Sequence, residues 1–122
     1  MIELNEAQEE RAMRLHRKAI IVDTHCDTLG HFLKQPWPLP KARTLGERSE
    51  RGHLDLPRMI EGGLTCQTFA IYTGRAPIVP DATLRALQMV DKFYTQIDAN
   101  PEIVTVTTHG EIVHAKKEGK VC

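Results

Sequence analysis

Apolar positions along the chain fall into short blocks separated by polar punctuation, and the spacing changes from block to block. In residues 5–18, Ala7, Met13 and Leu15 are scattered among charges, the pattern of an amphipathic, largely exposed helix. Asn5 followed by Gln8 has the spacing of a capping box at its start. "AIIVD" at 19–23 is continuous, short and β-branched, which predicts a strand buried on both faces as in parallel sheets. "LTCQTFAIY" at 64–72 predicts a second buried strand. Between them, residues 34–52 carry three prolines and two glycines and predict a long loop. "HLDLPRMIEGG" predicts a short helix, with Asp55 as N-cap, Pro57 in the first turn and Gly62–Gly63 at the end.

The second half continues the alternation. "GRAPIVP" reads as a loop, and Asp81 is placed to cap a long helix. Its Leu84, Leu87, Met89, Val90, Phe93, Tyr94 and Ile97 recur at helical spacing and predict a strong apolar face. Asn100-Pro101 stops it, and "EIVTVTT" at 102–108 alternates like a short strand. Thr108 and Glu111 form a second capping box, opening a short helix that Gly119 closes. "KVC" then reads as the opening of another strand. Strands alternating with helices predict a parallel α/β fold, with a (β/α)₈ barrel as one candidate. A barrel takes about 250 residues, so the 122 residues read as the N-terminal part of one, truncated near its third strand.

Composition narrows the function classes. Lys plus Arg is 16 and Asp plus Glu is 16, so net charge gives no argument for nucleic acid or an anionic membrane as partner. Hydrophobic residues are 41%, enough for a core. No apolar run approaches the length of a membrane span, and the first eighteen residues lack the apolar stretch of a secretion signal. Cys26, Cys66 and Cys122 form no CxxC pair and are odd in number. The expectation is a cytoplasmic, reduced protein. There is no GxSxG, P-loop or GxGxxG.

The chemistry concentrates in "DTHCD". Strand alternation would put Asp23, His25 and Asp27 on one face, at the carboxyl end of the first strand, where parallel α/β folds build their sites. An imidazole and a carboxylate can converge on one cation, and nitrogen-plus-oxygen ligation suits Zn²⁺. The bland reading is a hydrogen-bonded strand end. Alternation turns Cys26 the other way, as a small buried residue rather than a nucleophile. His53 and Asp55 repeat the spacing without a preceding strand, and capping accounts for Asp55. His31 sits in the loop after the first strand, His16 in the charged first helix, and His109 and His114 read as surface residues.

"IIVDTHCDTL" together with "GHLDLPRMIEGGLTCQTFAIYT" resembles the N-terminal part of the membrane (renal-type) dipeptidases, metallopeptidase family M19. "TTHGEIVHAKKEGKVC" is similar to that family's approach to its third barrel strand, so the likeness runs from about Lys18 to Cys122. The resemblance implies a (β/α)₈ barrel of the metal-dependent hydrolase type, spanning 1–122 here as a partial domain. It implies two zinc ions per complete site, a dipeptide substrate, and a homodimer as a possible state of the complete protein. The family's HxD maps onto His25 and Asp27 as metal ligands. Its bridging Glu and two further His have no matching position in this chain. Strand geometry, and not the resemblance, would let Asp23 orient a ligand from behind. The chain therefore resembles a piece of a soluble, bacterial-type zinc dipeptidase, inactive alone. Two rivals stand beside it: another barrel amidohydrolase, which would more often carry HxH, and a non-catalytic remnant or interaction module.

Overall fold

The computed structural model describes residues 3–33, 43–74 and 81–122. Part of the 34–52 loop (34–42) and most of "GRAPIVP" (75–80) lie outside the described residues. Among the described residues the elements are α1 (Glu6–Lys18), β1 (Val22–Cys26), a 3₁₀ turn (Thr28–Phe32), α2 (Leu56–Glu61), β2 (Cys66–Phe69), α3 (Ala82–Asp98) and α4 (His109–Lys117). None of the described helices is long and apolar enough to cross a membrane.

Helix starts are set by local side-chain chemistry. Asn5 and Gln8 cap α1 reciprocally, Asp55 accepts from the Arg58 amide at the start of α2, Asp81 caps α3, and Thr108 with Glu111 caps α4. Each carboxylate, amide or hydroxyl meets an N–H that the first helical turn leaves without a partner. The end of α2 has a further requirement. Gly63 has φ +68°, a conformation that favours glycine, and a Cβ there would also press on the His16 ring, at 2.8 Å from Nε2. The same His16 donates through Nε2 to the Gly62 carbonyl at 2.6 Å, tying α1 to the end of α2.

β1 and β2 pair in parallel. On the other side of β2, Gln67 N–H donates to the Cys122 carbonyl, and Cys122 N–H donates to the Thr65 carbonyl. Val121 in turn forms a parallel bridge with Ile103. The extended segments therefore lie in the order β1, β2, 121–122, 102–104. The expected strand at 102–108 is reduced to that bridge at Ile103. The main core gathers Leu29, Phe32 and Leu33 of the 3₁₀ region, Leu45, Leu54, Leu56 and Met59 around α2, Met89 of α3, and Ile103 and Val121. A smaller cluster joins Cys66, Cys122 and Ala115 of α4.

Two expectations are corrected. The first strand is not buried on both faces: it begins three residues later than "AIIVD", and Ile20 and Val22 are 41% and 46% exposed. Among the described residues β1 pairs on one edge only, and no helix covers its faces. Likewise Leu84, Leu87 and Tyr94 of α3 stand exposed while Met89 is fully buried. The apolar stripe of α3 is wider than the surface that meets it.

The region before α2 is held by one carboxylate. Asp55 has no exposed surface, and it accepts from Ser49 N–H at 3.0 Å, Arg58 N–H at 3.0 Å and Arg58 Nε at 2.7 Å. Burial alone would raise its pKa, but these donors outweigh it and hold the carboxyl below the ordinary value. Because the folded pKa is depressed, the stabilisation is present above the unfolded pKa and is lost as pH falls through the folded one. Replacing Asp55 by Ala strands the guanidinium and two amides, and should cost about 3 kcal/mol in urea unfolding at neutral pH. Asp55→Asn should flatten the acid limb of the stability–pH curve. An Asp55→Ala protein as stable as the parent would refute the account.

Candidate functional site

β1 is regular only at its start. Val22 pairs with Cys66 and Asp23 with Gln67, but Cys26, three residues on, pairs with Phe69, only two residues on. The extra residue is a bulge around Thr24 and His25. Bulges re-aim side chains and locally increase twist. Strict alternation therefore does not govern Asp23, His25 and Asp27, and the one-face expectation is corrected here. Asp23 and Cys26 occupy equivalent positions of the register, so Cys26 is not turned away from Asp23. Cys26 is half-buried against the main core, with Sγ 2.9 Å from the Thr28 hydroxyl.

His25 and Asp27 converge by a different route. Asp27 has left the strand (φ −86°, ψ 12°) and stands at the N-terminal end of the 3₁₀ turn without capping it. Its carboxylate is thus free to face back, and Oδ2 lies 3.3 Å from His25 Nε2. The two side chains are 69% and 55% exposed. The turn that fixes Asp27 is anchored by Leu29 and Phe32 in the core. Asp23 acts on the backbone: its Oδ1 accepts the His25 N–H at 3.0 Å, an Asx-type turn that holds the bulge.

The separation is informative. An N–H donating to a carboxylate settles near 2.7–2.9 Å when charge-assisted. Two ligands about 2.0–2.2 Å from a tetrahedral cation stand about 3.3–3.6 Å apart. At 3.3 Å the pair makes a long hydrogen bond, and the same separation is compatible with two ligands of one cation. Among the described residues no group of three or more His, Cys, Asp or Glu could hold a metal ion, and residues 1–2, 34–42 and 75–80 contain none of these types. The chain thus brings together two donors.

The other histidines lie elsewhere. His53 is exposed and Asp55 is the buried cap already described. His114 Nε2 lies 3.2 Å from Glu118 Oε1 on the surface of α4, and His109 is exposed. His31 is half-buried, its pKa lowered by burial and then by Arg43 and His53. Sequence reading passed over Gln67, which is 5% exposed and faces Asp23 across the sheet. Its signal was present: one amide in a run otherwise made of apolar residues and threonines.

The profile of the membrane dipeptidase family (peptidase family M19) matches residues 9–122. That is nearly the whole chain, and the chain belongs to this family. No curated protein matches it.

If Asp23 holds the bulge, Asp23→Ala should release about 1 kcal/mol of local hydrogen bonding. The His25 amide should then exchange with solvent roughly fivefold faster, with the global unfolding midpoint unchanged. Unaltered exchange at His25 would contradict this role for Asp23.

Proposed function

We propose that this member of the membrane dipeptidase family carries the first half of a zinc site for dipeptide hydrolysis, on the opening strands of a (β/α)₈ barrel. His25 and Asp27 are the ligands and Asp23 supports them. The observation that carries the reading is the 3.3 Å convergence of His25 Nε2 and Asp27 Oδ2, in a chain whose family hydrolyses peptides. β1 pairs in parallel with β2, and β2 in turn neighbours the 121–122 segment, as successive strands of a barrel do.

The residues present fit part of the group. One imidazole nitrogen and one carboxylate oxygen at ligand spacing, both accessible, suit zinc. When bound, zinc supplies Lewis acidity toward the scissile carbonyl and acidifies water. The chain's own part is positional. Asp23 fixes the His25 backbone, the core-anchored 3₁₀ turn fixes Asp27, and the two side chains are presented at the carboxyl end of β1. Catalytic zinc takes three protein ligands, so two donors bind the ion without completing a hydrolytic site. The 122 residues alone are therefore expected to be inactive toward dipeptides. Asp27, where another barrel amidohydrolase would more often place a second His, favours the dipeptidase.

Zinc added to the isotope-labelled chain should shift the His25 and Asp27 resonances ahead of those of His53, His109 and His114, and chelator should reverse the shifts. His25→Ala should abolish the effect at Asp27 with little change in melting temperature, since His25 is mostly exposed. Resonances at His25 that ignore zinc would sink the proposal.

A further inference from the structure

Gln67 is the buried polar residue closest to the bulge in register, and packing does not account for it. It is 5% exposed, between Cys66 and Thr68 on β2, and its Oε1 has no donor among the described residues. Burying an unpaired acceptor is destabilising, so a methionine of similar length would be the more stable occupant. The other end of the amide is engaged. Nε2 donates to the Asp23 carbonyl on β1 at 3.4 Å and to the Thr68 carbonyl on β2 at 3.1 Å. Those two carbonyls belong to opposite strands, and the interval they bracket is the bulged one, between the Asp23–Gln67 and Cys26–Phe69 pairs.

We propose that Gln67 is a positioning residue for the metal-ligand pair: its amide clamps the two strands across the β1 bulge and so fixes where His25 sits. The path runs from Gln67 Nε2 to the Asp23 carbonyl, and from the Asp23 carboxylate to the His25 amide. A bulge interrupts the ladder where a ligand must be held, and a side-chain amide with two N–H groups supplies one bond to each strand. This inference rests on the zinc reading of His25 and Asp27 and adds to it the residue that orients them from β2.

Gln67→Met separates the clamp from simple packing. In the metal-free chain, the His25 amide should exchange faster than in the parent. Zinc affinity read from the His25 resonance should fall about tenfold, the lower end of what outer partners of metal ligands contribute. The unfolding midpoint should hold or rise, because an unpaired acceptor has been removed. Unchanged exchange together with unchanged affinity would overturn the clamp, and so would a variant that loses its fold, since Gln67 would then be structural. Parent protein whose His25 ignores zinc would defeat the metal reading instead, and the metal-free exchange rates would still decide the clamp.

Discussion

The structure depends on β2 being hydrogen-bonded from both sides. Its amides alternate between partners: Cys66 N–H reaches the Ile21 carbonyl, Gln67 N–H the Cys122 carbonyl, and Ala70 N–H the Cys26 carbonyl. Thr65, just before it, joins three segments, since its hydroxyl accepts the Ile21 N–H, its amide reaches the Ile21 carbonyl, and its carbonyl accepts from Cys122. Parallel strands cannot be joined by tight turns, so every neighbour of β2 arrives after a long crossover. Residues 27–64 form one crossover and 70–120 the other. The core is made of what those crossovers contribute, with Leu29, Phe32 and Met59 from the first and Met89 and Ile103 from the second.

The same arrangement places the site. Among the described residues β1 is an edge strand whose ladder to β2 breaks at the bulge, and the chain then tightens into a 3₁₀ turn that the core grips through Leu29 and Phe32. His25 is held through its backbone by Asp23, and Asp27 through the turn it begins. Neither side chain is packed. For this exposed pair the scaffold, rather than the side-chain environment, sets the separation.

Local chemistry was legible in the residues. Both capping boxes, the Asp55 and Asp81 caps and the Gly119 stop involve partners three to five positions apart, and the helices begin and end where those signals stand. The convergence of His25 and Asp27 was anticipated from a spacing of two, although the regular strand invoked for it is not how they meet. Burial was misread at β1 and across α3, because an apolar run states only that a residue can be buried. Whether anything covers it depends on surfaces contributed by distant segments.

By itself, then, the sequence determined the helix boundaries, the alternation of helices with parallel strands and the family, since each is written in contacts between near neighbours or in ordered motifs. Tertiary structure alone decided the bulge register, the exposure of Ile20 and Val22, and the pairing of Gln67 with Asp23. These follow from how β1 and β2 slide against each other across 44 positions of chain. Strand register is set by the packing of whole faces and not by any short stretch of residues.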